Sequence, residues 1–596
     1  MRYQGTLLSV ICVFVVFPAA FKAISCAPSK RQTELTNWTA KEAINHLCSG
    51  QVTSSEYTQA LLEQIELHAC LNNFAAFEPD KVLAEARAID ASKAAGNDTG
   101  PLCGLPFAVK DNIDVVGYAT VAGTPGLEGM RPSNSSPVIT RLLEAHGIVL
   151  GKTNMEELAE GLTTINPVYG PVLNPYNNLH DVGGSSGGTA GVVASRGVTA
   201  GFCSDTAGSC RIPGAHTGTV GFRPSLNCYN AAGGIVPQTT SRDTVGVIAR
   251  TVEDVILFDD IFSECNASRR AIQLSGTKLG YPVNYWEGLD AEAVATFEAA
   301  LKCLTEAGVE LVKFDMGLLS AEGAEVEAEL LLAYEAPREI SRYLATHGYN
   351  ISMVHLVDQI ASPYPKQLFK TRTTAVLDEW PTPQDYYYNI REVIPKLTEL
   401  HSRYLDAYKV HLTISPTTRL AAGPVQQVQP WVEYNGKLVE VGEAYGHTVY
   451  LGPPLGLPAI SIPVGLDAAG LPLGIQLQAR PGEDDLLLMY SAAVEKVLPP
   501  MPPPPATPAC QGCTPRVELH DANYSGSGEP QPGDVTSIFS LHFDGQLGDI
   551  VIRRTHTSEA ELNQKAWTFV STSYWLSQIL VVRVPQHIVK HFTVCH

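Results

Sequence analysis

The chain has 596 residues, 45% of them hydrophobic and 17% charged, with a formal net charge of −20. That length and balance suit a globular protein with a sizeable core, in one large domain or a few ordinary ones. The acidity argues against nucleic acid, whose phosphates reward clustered Lys and Arg, and against an anionic membrane surface. It reads as charge that keeps the protein soluble.

Arg2 precedes an apolar run over 7–17 (LLSVICVFVVF), and the small residues Ala19, Ala20, Ala23 and Ser25 follow. A positive start, an apolar segment and a small-residue cleavage zone read as a secretory signal peptide over 1–25. The run is short against the ~20 residues of a membrane span. The expected location is therefore secreted or in the lumen of the secretory pathway, with a retained signal anchor as the alternative. No stable membrane insertion is expected once the signal is cleaved. Six Asn-x-Ser/Thr sequons, at Asn37, Asn97, Asn134, Asn266, Asn350 and Asn523, are candidate glycosylation sites. Of 13 cysteines, Cys12 lies in the signal and Cys26 at its edge. The rest could form disulfides in an oxidising compartment, with pairings left open.

Thr53-x-x-Glu56 predicts a capping box, and Tyr57, Leu61 and Ile65 recur at the spacing of an amphipathic helix. Residues 105–109 (LPFAV) read as a short buried strand, 138–146 as a helix closed by Gly147, and 148–150 as the next strand. Strand alternating with helix points to an α/β fold around a sheet buried on both faces. Residues 255–410 are richer in helical patterns, such as 324–334 (AEVEAELLLAY). Residues 459–466 and 471–478 predict a hairpin around Asp467 and Gly470.

The domain is expected to span 30–497. Residues 498–508 (LPPMPPPPATP) read as an extended linker. The tail, 509–596, has no repeat and is expected to be poorly structured. Its Cys510-x-x-Cys513 lacks the second pair that zinc wants, and His587, His591 and His596 show no ligand spacing. No metal site is expected.

Residues 181–213 read DVGGSSGGTAGVVASRGVTAGFCSDTAGSCRIP. The glycines at 183, 184, 187 and 188 let the backbone approach a ligand closely, and the helix after them would aim its N-terminal N–H groups at the loop. No Gly-Lys-Ser/Thr follows, so a phosphate loop is a poor fit. Further on, Asp205-Thr206-Ala207-Gly208-Ser209 ends an apolar run. A serine on a tight turn can meet a carbonyl, with N–H groups of the turn placed for an oxyanion. Such a serine needs a base. No G-x-S-x-G elbow surrounds Ser209, and His216 or His447 could complete a Ser–His–Asp set. The alternative is Lys110, at the end of a core strand, where burial would make its amine neutral.

GLPFAVKDNID (104–114), GKTNMEELAEG (151–161), GPVLNPYN (170–177), GGSSGGTA (183–190) and DTAGSCRIP (205–213) resemble the amidase signature family in order and spacing. The likeness runs on through GTVGFRPS (218–225), GGIVP (233–237) and SRDTVGVIARTVEDV (241–255), then GLPAISIPVGL (456–466) and GLPLGIQLQARP (470–481). In texture it is most like amidases of the indoleacetamide and mandelamide hydrolase type. The resemblance implies one α/β domain with a mixed, largely parallel sheet flanked by helices. It implies hydrolysis of a small-molecule amide through an acyl-enzyme, with no cofactor. Lys110, the cis-linked Ser185 and the nucleophile Ser209 would form the catalytic set. The N–H groups of Thr206, Ala207, Gly208 and Ser209 would receive the oxyanion, and Ala159 would face the acyl group. Ser186, Asp205 and Arg211 would support the loop. Ala207 departs from the family's Gly-Gly, and would be strained if that position needed φ > 0. Cys210 reads as a packed small residue. The chain could pair as a homodimer. A non-catalytic binding protein on the same scaffold is the alternative reading, and a signal peptide argues against the amide-transferring subunit of a tRNA-dependent complex.

Overall fold

The runs Pro106–Lys110, Ala200–Asp205 and Thr244–Ala249 are buried at every position. Short apolar segments of this kind belong to a sheet covered on both faces. The computed structural model describes residues 30–505, apart from 232, 266–268, 320, 378–380 and 426–430, and six strand segments between 516 and 593. The expected signal peptide, the Cys510–Cys513 motif, His587, His596 and the sequons at Asn266 and Asn523 lie outside the described residues.

Among the described residues, eleven strands form one sheet: β1 (Phe74–Phe77), β2 (Pro106–Lys110), β3 (Ile148–Thr153), β4 (Ala200–Asp205), β5 (Val220–Arg223), β6 (Thr244–Ala249), β7 (Lys278–Pro282), β8 (Glu310–Phe314), β9 (Leu412–Pro416), β10 (Ala459–Leu466) and β11 (Pro472–Gln478). Their order across the sheet is β1-β3-β2-β4-β6-β5-β10-β11-β9-β7-β8. β2 runs parallel to β3 and β4, and β7 runs parallel to β8 and β9. The other six neighbouring pairs are antiparallel. The sheet is mixed, as expected, but parallel pairing is confined to its flanks. Connection length is the reason at β10 and β11: the short turn between them can join only antiparallel strands.

Helix Gly187–Ala194 packs on β2, β4 and β6, and helix Arg211–His216 packs on β5, β10 and β11. Thr53 caps helix Ser54–Leu67 by accepting from the Glu56 N–H at 3.0 Å. The reciprocal half of the predicted box is not made, because the Glu56 carboxylate pairs with Arg31. In the helix-rich region, β7 and β8 are strands that sequence periodicity did not reveal; helix Val294–Glu306 joins them as a βαβ unit. Helices Ala321–Thr346, Met353–Gln359 and Pro363–Leu377 enclose a second apolar cluster with Met155, Leu158 and Ala159. No helix among the described residues is long and apolar enough to cross a membrane.

The segment read as a linker has no helix or strand over 499–505. Its first half nevertheless docks on the domain: Met501 packs against the core and Tyr176 Oη donates to the Pro502 carbonyl at 2.6 Å. The chain divides into two units between Pro508 and Ala509. In the second, the described residues form two antiparallel sheets. One has four strands (Arg516–His520, Val535–Phe543, Gln546–Arg553 and His591–Thr593); the other has two (Trp567–Phe569 and Leu580–Val582).

Candidate active site

β2 ends in Lys110, and β4, its parallel neighbour, ends in Ser204 and Asp205. Lys110 is fully buried. Its Nζ donates to Ser185 Oγ at 2.7 Å and to Ser204 Oγ at 2.9 Å. Asn112 Nδ2 also donates to Ser204 Oγ, at 3.0 Å. Burial pushes the Lys110 ammonium down to about 7, against the pull of Asp205, Asp243 and Glu156 in the other direction. The segment after Lys110 is fixed by Lys152, whose Nζ donates to the carbonyls of Asp111 (3.1 Å) and Ala119 (3.0 Å).

Ser185 lies just before helix Gly187–Ala194, and the Gly184–Ser185 peptide bond is cis. The Ser185 carbonyl accepts from the Glu156 N–H at 3.1 Å. Gly184 passes so close to the 162–164 backbone that a Cβ there would stand 2.6 Å from the Thr163 nitrogen. Thr164 Oγ1 donates to the Gly183 carbonyl at 2.8 Å and accepts from the Gly187 N–H at 3.0 Å. Ser186 Oγ donates to the Ser204 carbonyl at 3.3 Å.

The Asp205 carboxylate organises the turn that carries Ser209. Oδ1 accepts from the Gly208 N–H at 2.8 Å and Oδ2 from the Cys210 N–H at 3.2 Å. Arg211 binds both oxygens, at 3.0 Å each, and Arg223 lies 3.5 Å from Oδ1. Burial alone would raise the Asp205 carboxyl, but the two guanidiniums outweigh it and hold the group well below the usual carboxylate range. Gly208 has φ +109°, and Ala207 is not among the residues with positive φ. The strain anticipated at Ala207 is therefore absent: the left-handed position falls on glycine. Of the four N–H groups expected to face an oxyanion, that of Gly208 is committed to Asp205. Those of Thr206, Ala207 and Ser209 donate to no acceptor among the described residues. Thr206 Oγ1 donates to Asp243 Oδ1 at 2.7 Å.

Ser209 is 4% exposed. Its hydroxyl makes no hydrogen bond among the described residues, to a histidine or to Ser185. His216 Nε2 meets Thr418 Oγ1 at 3.2 Å, and His447 Nε2 lies 3.4 Å from the Asn284 carbonyl. Neither histidine forms a Ser–His–Asp set. Cys210 is not merely packed, since it is disulfide-bonded to Cys203. Ala159 is nearly buried in the second apolar cluster, at φ +59°. Its loop is clasped to the helical cover: Glu157 accepts from the Ser362 N–H at 2.7 Å, and Glu160 pairs with Arg372 at 2.6 Å.

Four residues of the site escaped the sequence reading: Ser204, Asp243, Arg223 and Glu156. Each lies inside a stretch quoted above: Ser204 adjoins Asp205 and Glu156 lies three residues before Ala159, whereas Arg223 and Asp243 are far in sequence from every residue of the expected site, and only membership of a quoted motif pointed to them.

Residues 56–488 match the family model described as Amidase. Indoleacetamide hydrolase of Agrobacterium vitis is 32% identical over 445 residues, 74% of this chain and 93% of that protein. Mandelamide hydrolase of Pseudomonas putida is 32% identical over 477 residues, 78% of this chain and 92% of that protein. A crystal structure of an amidase superposes with a TM-score of 0.69 at 28% identity, covering 78% of this chain and 100% of that one. The native peptide amidase from Stenotrophomonas maltophilia superposes with a TM-score of 0.67 at 25% identity, covering 78% and 98%. With a family model over most of its length and relatives alike over nearly theirs, this chain belongs to the amidase signature family, hydrolases of amide C–N bonds.

Proposed function

We propose that Lys110, Ser185 and Ser209 hydrolyse a small carboxamide through an acyl-enzyme. The observation that carries this reading is the desolvated Lys110 amine held 2.7 Å from Ser185 Oγ. Neutral Lys110 takes a proton from Ser185, and Ser185 takes one from Ser209 as the Ser209 oxygen attacks the amide carbon. The tetrahedral oxyanion is received by the uncommitted N–H groups of Thr206, Ala207 and Ser209. Collapse breaks the C–N bond, and the proton returns from Lys110 through Ser185 to the leaving nitrogen. Water then attacks the Ser209 ester by the same relay, releasing the carboxylic acid. The Ser185–Ser209 hydrogen bond forms in the substrate complex, where hydrogen bonds of catalytic groups tighten.

Aryl-acetic amides are the substrate class proposed, supported by the names of the two relatives. Ser209→Ala should abolish hydrolysis of an aryl-acetamide while the protein stays folded, and a fluorophosphonate should label Ser209. Full activity in that variant overturns the reading. Fatty amides cleaved far faster than aryl-acetic ones would overturn the substrate class alone.

Export through the secretory pathway is proposed with it. The disulfides Cys48–Cys103 and Cys228–Cys265 support it, as do the exposed sequon residues Asn37, Asn97, Asn134 and Asn350. A mature N-terminus near residue 26 and a mass loss on deglycosylation are the expected results; an unglycosylated chain that keeps residues 1–25 contradicts them.

A further inference from the structure

We propose that the Cys203–Cys210 disulfide is a positioning element of the reaction, locking the turn that carries Ser209 to the strand beside Lys110. The inference rests on the reading of Ser209 as nucleophile. Cys203 lies on β4, paired with Gly246 of β6. Cys210 directly follows Ser209 and caps helix Arg211–His216. The bond therefore closes a small ring around the whole turn, Asp205 to Ser209, with a sequence separation of 7. Both cysteines are fully buried. The neighbouring strand makes room for them: a Cβ at Gly246 would stand 2.8 Å from Cys210 Sγ and 3.3 Å from Cys203 Sγ.

Without the disulfide, the far end of the turn is tied back to β4 through one carboxylate alone, that of Asp205, which accepts from the Gly208 and Cys210 N–H groups and from the Arg211 guanidinium. Ser209 Oγ and the N–H groups beside it could then shift by fractions of an ångström. Acyl transfer does not tolerate this, since a misplacement of about 1 Å can cost on the order of 100-fold in rate.

A ring this short removes less chain entropy from the unfolded state than a long one does. The Cys228–Cys265 disulfide, with a separation of 37, removes more. The two disulfides should thus act on different quantities. Cys203→Ala/Cys210→Ala should lower kcat at least tenfold with KM within twofold, and slow fluorophosphonate labelling of Ser209 by the same factor. Cys228→Ala/Cys265→Ala should lower Tm by more than the first pair does and leave kcat within twofold.

A second measurement keeps the native side chains. The full chain made under reducing conditions, with Cys203 and Cys210 as thiols, should show the same loss of kcat. Oxidised glutathione should restore it, forming the protein disulfide and releasing two molecules of reduced glutathione. The proposal is overturned if kcat stays within twofold when the bond is absent, or if mass mapping of the active, non-reduced protein finds both cysteines as free thiols. If Ser209→Ala is dead while the cystine variant is fully active, this inference alone fails. If Ser209→Ala is active, the reading beneath it fails.

Discussion

The protonation of Lys110 gives the most direct test of the relay. At pH 8 an amine with a pKa of about 7 is roughly nine-tenths neutral, and one at the ordinary 10.5 is about 0.3% neutral. Burial therefore raises the fraction of usable base about 300-fold at that pH. The active form is the neutral one, so activity is lost as pH falls through the folded pKa. With ammonia release from an aryl-acetamide followed between pH 5.5 and 10, kcat/KM should climb with a slope of one below about 7 and flatten above it. The Glu156 carboxyl, which burial raises to about 7 against hydrogen bonds from Thr164 and Thr163, titrates in the same range. Substitution separates the two. Glu156→Gln and Asp243→Asn each remove a negative charge that raises Lys110, so each should move the inflection to lower pH without erasing it. Lys110→Arg should be inactive throughout, because a guanidinium does not deprotonate. A profile flat from pH 6 to 8 and rising only near 10 would refute the buried base, and an inflection that vanishes in Glu156→Gln would assign it to the wrong residue.

Arg211→Met removes one partner of a fully buried carboxylate and should cost about 3–5 kcal/mol in urea denaturation; a loss below about 1 kcal/mol would mean that Arg223 alone satisfies Asp205. Tyr445→Phe deletes a hydroxyl that donates to Asp181 Oδ2 at 3.0 Å and accepts from the Gly423 N–H at 2.6 Å. Thermal unfolding should show a loss of about 1–3 kcal/mol, and an unchanged melt would contradict the bonding. Gly184→Ala would place a Cβ 2.6 Å from the Thr163 nitrogen and 2.7 Å from the Leu162 carbonyl carbon. Displacement of Ser185 should lower kcat by about 100-fold, and wild-type kcat would show that the backbone can yield there.

Local pattern determines a good deal of this protein. Apolar runs bounded by glycine mark β2, β3 and β4, and the hairpin β10–β11 is legible from alternation at Leu473, Ile475 and Leu477. The same short-range signals mark Lys110 at a strand end, a glycine loop around Ser185 and Ser209 on a small-residue turn, but only the order and spacing of the motifs, through the resemblance to the amidase signature family, join the three as a catalytic set. β7 and β8, as long as β2 but only partly buried, do not rise above the helical texture around them. Tertiary structure decides the rest. The order β2-β4-β6 brings Ser204 to Lys110 and Cys203 over Gly246, and folding of the 238–243 segment brings Asp243 to Thr206 across 37 residues. It also decides that φ > 0 falls on Gly208 rather than Ala207, and that Gly208 spends its N–H on Asp205. Such partnerships follow from sheet order and register, which hydrophobic periodicity does not encode, since it reports which face a residue turns inward and not which residue meets it there.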